Sequence, residues 1–428
     1  MAPRRRNGSP DTNTLEVWLD ANLLDHPEQV GTLHHDRGHI RFRYAPGWLR
    51  QPGRFVLDPD LSLDSQVFFP KAQQSSFGIF LDSAPDRWGQ VLMNRREGLI
   101  ARDDGRRPRM LYAWDFLIGV QDVTRQGALR VRYPGTDAFL DSQLRSAPPV
   151  TSLAEMERVA FELTRQDIDD LDELRRWLAV LVAPGASLGG ARPKANFLEA
   201  DGSMWIAKFP SRSDTRDMAA WEMVVHTLAR RSGIDVADAR LVRLGLTHRT
   251  FCTRRFDREM RGAMAPGARV FYASALTATG RQESEGASYL DLASFQAANG
   301  APVHLADDLA QLFRRAVFNV AAGNRDDHLR NHGFVLTRTG WRPSPAFDLN
   351  PSPDQDDHVL TLDGIDPRPD LGTVVATAEY YRLTSSRAAA IVDDVVRAVG
   401  GWRDAARGVG ISEADIDLME PAFKSHPE

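Results

Sequence analysis

Cysteine is nearly missing from these 428 residues. Cys252 stands alone, which excludes an intramolecular disulfide and a zinc site built on several cysteines of one chain. On its own it reads as a small buried side chain. No apolar run approaches the roughly 20 residues needed to span a bilayer. The basic start, MAPRRRNGSPDTNT, is followed by polar residues and not by the apolar stretch of a secretory signal. Cytoplasmic residence is the expectation. Strong charge of one sign is also missing, because a net charge of -5 gives no global attraction to nucleic acid. Arginine clusters at 4–6, at Arg95 and Arg96 with Arg106 and Arg107, and at Arg254 and Arg255 read as solvated surface charge. What is present, 42% hydrophobic and 26% charged residues, is the balance of a globular chain and not of a disordered one. Its length predicts two or three lobes.

The N-terminal segment reads as β-rich, since LEVWLD alternates Leu15, Val17 and Leu19 while HIRFRY alternates Ile40, Phe42 and Tyr44. Between 77 and 98 the period turns helical around a break at Pro85. Ser152 and Glu155 have the spacing of a capping box, opening a new region after Pro148 and Pro149. A helix is expected over 167–182. NFLEADGSMWIAKF then predicts two strands joined by a tight turn at Asp201 and Gly202, with Lys208 on the second strand. A helix follows over 215–232, then strands at 239–244 and 250–256. Leu305, Leu309, Leu312, Ala316 and Val320 mark one long amphipathic helix ending against Gly323. A strand at 332–337 leads to a loop through Pro343, Pro345 and Pro351, and helices run from about 376.

Chemistry concentrates in GNRDDHLRNHGF, where Asp326 and Asn331 have the D-x-x-x-x-N spacing of a kinase catalytic loop. Phosphoryl transfer needs a carboxylate to receive the acceptor's proton and, close by, an oxygen ligand for a metal. Turns use the same residue types, so the spacing alone does not decide. Asp348, in PSPAFDLNPS, reads either as a second metal carboxylate or as a turn residue before Pro351. Upstream, Gly185, Ser187, Gly189 and Gly190 form a loop able to cradle phosphates or simply to turn. It is not a P-loop, because Ala191, Arg192 and Pro193 intervene before Lys194. Lys208 and Glu222 could form the strand-lysine and helix-glutamate pair of kinases, and Glu222 also reads as an exposed helix residue. The order of these features along the chain is that of a kinase.

SLGGARPKANF, WIAKFP, TRRFDR, GNRDDHLRNHGF and PAFDLNPS resemble successive motifs of the HipA toxin kinases, the kinase half of HipBA toxin–antitoxin modules. LEVWLD, GTLHHDRGHIRFRY, SAPDRWGQVLMNRRE and DFLIGVQD are similar to that family's N-terminal subdomain. The resemblance implies a bilobal α+β, protein-kinase-like fold, with a β-rich N-terminal subdomain and a mainly helical C-terminal lobe. Residues 1–13 lie outside it and are expected to be a disordered tail; it suggests the subdomain at 14–150, the ATP-binding part of the kinase core at 151–258 and the helical lobe at 259–428.

The same resemblance implies ATP and Mg2+ as cofactors. Lys208 would contact the phosphates, Asp326 would be the base, and Asn331 with Asp348 would hold magnesium. His328 matches the catalytic-loop histidine. Backbone at Arg254 and Phe256 would meet adenine, although the family often carries glutamate where Arg254 stands. Ser187 would be an autophosphorylated, self-inactivating site. The implied substrate is a protein such as an aminoacyl-tRNA synthetase, whose modification slows translation, and the implied partner is a HipB-like DNA-binding antitoxin. Two other readings stand beside this one: a small-molecule kinase on the same fold, and a catalytically idle partner of the antitoxin.

Overall fold

The computed structural model describes residues 12–140, 147–165, 171–181, 192–259 and 268–424. Gly185, Ser187, Gly189 and Gly190, and the arginines at 4–6, lie outside the described residues. The first antiparallel sheet is ordered His39–Tyr44, Glu28–Asp36, Thr14–Leu19, Leu129–Arg132. Leu15, Val17 and Leu19 are fully buried, and Ile40, Phe42 and Tyr44 point the same way, as a period of two requires of a half-buried sheet. Next come the helices Gly78–Asp82 and Arg87–Asp103, separated at Pro85. Asp86 caps the longer one, its Oδ1 accepting from the Gly89 amide at 2.7 Å.

The expected capping box at Ser152 does not form. Ser152 closes a 3-10 turn, Val150–Ser152, with φ -87° and ψ -3°, and makes no side-chain cap bond. A cap needs an extended backbone to aim the hydroxyl at the first free amides, and this turn withholds it. The helix Leu153–Glu162 follows, then Leu171–Leu181.

A second antiparallel sheet is ordered Lys194–Leu198, Met204–Lys208, Thr250–Arg254, Ala239–Val242. Its first hairpin differs from the expected two-residue turn. Leu198 and Met204 form the last ladder pair, so residues 199–203 make the connection. Asp201 Oδ1 accepts from the Ser203 amide at 2.8 Å and Gly202 takes φ +82°. A side chain that bonds its own backbone two residues on favours the wider loop. Between Met204–Lys208 and Ala239–Val242 in the sequence lies the helix Met218–Arg231, capped by Asp217.

The larger lobe is built on the helix Leu305–Ala321, whose Leu309, Leu312, Ala316 and Val320 are buried. A third sheet, Tyr272–Ser274, Gly333–Thr337, Gly340–Pro343, lies beside it. Pro343, expected in a loop, instead pairs with Phe334 at the end of an edge strand. Proline lacks the amide donor but is tolerated at such an edge. Helices Leu371–Ala376, Ser385–Gly400, Trp402–Val409 and Glu413–Met419 close the lobe.

Two apolar cores result. One joins the first sheet, the helix Met218–Arg231 and the helical lobe. The other packs Trp88, Leu92 and Leu99 with the second sheet and the helices preceding it. The architecture is α+β and bilobal. No described helix is long and apolar enough to cross a membrane.

Arg255 departs from the expectation of solvated charge, being 3% exposed. It donates to Asp257 at 2.6 Å, to the Thr124 carbonyl at 2.7 Å and to Asn196 Oδ1 at 2.8 Å. Asp257 also accepts from Arg258 at 2.8 Å and from the Gly127 amide at 2.8 Å. Burial opposes its charge, but Arg255 and Arg258 hold the carboxyl well below the usual range. A buried guanidinium survives only when paired and fully bonded, and this cluster meets that condition. Cys252 is buried as expected, and burial pushes its thiol up to about 12.

Candidate functional site

Lys208 ends the strand Met204–Lys208, and Glu222 lies in the second turn of the helix Met218–Arg231. The Lys208 ammonium donates to Glu222 Oε1 at 2.5 Å and to Asp348 Oδ1 at 2.7 Å. Strand, helix and a segment far downstream thus meet on one nitrogen. Burial would depress the Lys208 pKa, but the Asp348 and Glu222 carboxylates outweigh it and hold the ammonium above its ordinary value. Burial raises Glu222, with Lys208 opposing. At Asp348 burial loses to Lys208, and the carboxyl falls to about 2. Glu222 is therefore a buried partner and not an exposed helix residue.

Asp348 takes φ +59°, a left-handed conformation that aspartate tolerates better than most side chains. Its backbone turns while its side chain faces Lys208. Two residues on, Asn350 donates from Nδ2 to Asp348 Oδ1 at 3.3 Å, and its amide donates to Asn324 Oδ1 at 3.3 Å.

The helix Leu305–Ala321 ends in a turn at Gly323, with φ +63°. A Cβ there would lie 2.0 Å from the Ala422 carbonyl oxygen, so only glycine fits. The chain then runs through Asp326 to the 3-10 turn Leu329–Asn331. Asp326 is exposed, whereas Asp327 beside it is buried. Burial of part of the Asp326 carboxyl raises its pKa; His328 opposes the shift, and Asp348 and Asp327 add to it. Asp326, His328 and Asp348 are thus electrostatic neighbours. His328 Nδ1 is buried without a hydrogen-bond partner among the described residues.

Asn331 Nδ2 donates to the Asp326 carbonyl at 3.2 Å, which leaves the amide oxygen as the group open to a cation. An amide oxygen such as this one and a carboxylate such as that of Asp348 are hard oxygen donors of the kind magnesium accepts. Magnesium commonly takes one or two protein ligands, with phosphates and water supplying the rest, so the residues fit it.

At the end of the strand Thr250–Arg254, the Arg254 amide already donates to the Asp238 carbonyl and the Arg255 amide to that of Met204. The Phe256 ring packs against Phe347, the residue before Asp348, at 5.6 Å between centroids. Residues beside the glycine-rich segment are held by ion pairs. Arg192 binds Asp214 through both nitrogens, at 2.8 and 2.6 Å, and Lys194 binds Asp86 at 2.9 Å. Sequence reasoning overlooked Asn324, Asn350 and the partners of Asp327. The doubled aspartate of GNRDDH was the available signal that the two carboxylates have different surroundings.

Residues 186–402 match the HipA-like C-terminal domain family, and residues 15–107 match the HipA N-terminal domain family. The serine/threonine-protein kinase toxin HipA of Shewanella oneidensis is 27% identical over 190 residues, which are 39% of this chain and 43% of that protein. The aligned part therefore spans less than half the length of that curated relative. HipA in the solved complex of Shewanella oneidensis HipA, HipB and operator DNA aligns with a TM-score of 0.63 at 19% identity, covering 96% of this chain and 95% of that one. That likeness establishes the fold.

Proposed function

This chain belongs to the HipA family, and we propose on that premise that it is an ATP-dependent serine/threonine protein kinase of the toxin type. The observation that carries the reading is one ammonium, Lys208, bonded to both Glu222 and Asp348. A lysine so restrained presents its charge in a fixed place, as binding of nucleotide phosphates requires.

In this reading Lys208 orients the phosphates, and Asn331 and Asp348 would hold magnesium, which neutralises phosphate charge when bound. Asp326 accepts the proton of a serine or threonine hydroxyl as its oxygen bonds to the γ-phosphorus and the bond to ADP breaks. Its raised pKa favours that role, because a carboxylate that holds protons more readily is a better base. His328 supports Asp326 electrostatically. The carbonyls around Arg254 and the Phe256 backbone receive adenine, since the Arg254 and Arg255 amides are spent in the sheet.

The substrate is a cytoplasmic protein, with an aminoacyl-tRNA synthetase as the family's implied class, and its modification would slow translation. Ser187 is proposed as a self-inactivating phosphorylation site, where roughly two added negative charges would repel the ATP phosphates. A HipB-like DNA-binding antitoxin is the proposed partner, supported by the fold shared with HipA of the HipA–HipB–DNA complex.

The test is incubation of wild-type and Asp326→Asn protein with labelled ATP, cell lysate and separate metabolite fractions. Protein labelling that falls about 10²- to 10⁴-fold in the variant, with ATP binding retained, is the expected outcome. Equal labelling by both would reject Asp326 as the base. A labelled metabolite with unlabelled protein would replace this reading with a small-molecule kinase.

A further inference from the structure

The two adjacent aspartates of the Asp326 loop have opposite surroundings. Asp326 faces solvent, while the Asp327 side chain is 2% exposed. Asp327 Oδ2 accepts from Tyr289 Oη at 2.7 Å and from Asn319 Nδ2 at 2.6 Å, and it lies 2.7 Å from His332 Nε2. These partners come from three elements: the helix Tyr289–Asn299, the helix Leu305–Ala321 and the entry to the strand Gly333–Thr337. An oxygen so surrounded, with no path to solvent, cannot serve a substrate hydroxyl. It can fix the backbone that carries its neighbour.

The bonds continue past Asp327. Asn319 Oδ1 accepts from Asn324 Nδ2 at 3.1 Å, and the Asn319 carbonyl accepts from the Asn324 amide at 2.9 Å. Asn324 Oδ1 accepts from the Asn350 amide, and Asn350 Nδ2 donates to Asp348, which holds Lys208. One run of hydrogen bonds, passing through the Asn350 backbone amide, therefore joins the buried Asp327 to the candidate phosphate-binding lysine. Backbone bonds parallel it: Ser352 donates to the Gly323 carbonyl at 2.8 Å, and Val359 donates to the Arg325 carbonyl at 3.0 Å.

We propose that Asp327 and Asn324 are positioning residues that lock the Asp326 loop and the Asp348 segment into one rigid unit. Asp327 anchors the loop in the core of the helical lobe, and Asn324 ties that loop to the turn presenting Asp348. Neither touches substrate. Their effect is to keep the base and the metal carboxylate at a constant separation, and reaction rates are steep in that separation because a misplacement near 1 Å can cost about 100-fold. The proposal rests on the kinase reading above and deepens it.

Asn324→Ala is the first test, because it removes the side-chain link while keeping the backbone bond to Asn319. Purified wild-type and variant proteins are compared for kcat, for KM of ATP, for the Mg2+ concentration giving half the maximal rate, and for affinity toward a fluorescent ATP analogue. The expected result is a kcat at least tenfold lower and a Mg2+ requirement raised severalfold, with analogue affinity within twofold of wild type. Tyr289→Phe, which deletes one donor to Asp327 without changing ring volume, is the second variant and should lower kcat in the same sense without raising KM. An Asn324→Ala protein with wild-type kcat and Mg2+ dependence overturns the proposal. So does loss of analogue binding in step with kcat in both variants, since that pattern marks general damage. A wild-type protein that binds the analogue but transfers no phosphate, or that binds no analogue, overturns the kinase reading itself, and the wild-type control separates that failure from the other.

Discussion

Lys208→Met replaces the shared ammonium with an apolar side chain of similar length and leaves Glu222 and Asp348 facing each other without a cation. The Lys208 side chain is 14% exposed and that of Glu222 is 7% exposed, so water compensates little. Removing one partner of a buried ion pair typically costs about 3–5 kcal/mol at neutral pH, because the remaining charge is stranded. The cost depends on pH in a direction set by Glu222. Its folded pKa lies above the unfolded value already in the wild type, and loss of Lys208 raises it further. A carboxyl shifted upward binds more protons folded than unfolded, so the destabilisation is complete at high pH and shrinks as Glu222 becomes protonated. Asp348 behaves oppositely in the wild type. Its pKa of about 2 gives stability that is present above the unfolded carboxyl value and lost as pH falls through about 2. Urea denaturation of wild type and Lys208→Met at pH 8 and pH 5 measures both effects. The variant should lose about 3–5 kcal/mol at pH 8 and distinctly less at pH 5. An equal loss at both pH values, or none at pH 8, refutes the stranded-carboxylate argument.

Asp348→Ala should abolish phosphotransfer together with its magnesium dependence, and an unchanged magnesium titration would remove Asp348 from the site. Mass spectrometry after ATP treatment should find phosphate on Ser187 in wild type but not in Asp326→Asn; repeated absence from wild type would withdraw the self-inactivation proposal.

Much of this arrangement was legible in the sequence because its signals are local. Alternation at Leu15, Val17 and Leu19 marks a strand wherever the partner strand lies, and the stripe from Leu309 to Val320 marks a helix in the same way. The placement of Lys208 and Glu222 on a strand and the following helix needed no tertiary information. What stayed hidden depends on contacts distant in the chain. Asn324 and Asn350 look like ordinary turn residues until the fold sets one against the other. Arg255 reads as surface charge because its carbonyl and amide partners, at Thr124 and Asn196, come from other parts of the molecule. Pro343 reads as a loop because proline is usually excluded from ladders, and only its edge position excuses it. The loop of residues 199–203 departs from a tight turn for a smaller reason, since Asp201 bonds Ser203 and widens a turn that its neighbour Gly202 could have made tighter.

The contact between Gly323 and the Ala422 carbonyl has a bearing on when this protein becomes competent. The floor beneath the Asp326 loop is laid by residues that leave the ribosome long after the loop itself. A nascent polypeptide that has emerged only as far as Asp348 owns every proposed chemical group, yet it lacks the support that seats them. The seat of the Asp326 loop against Ala422 is therefore complete only once the chain has been made through Ala422.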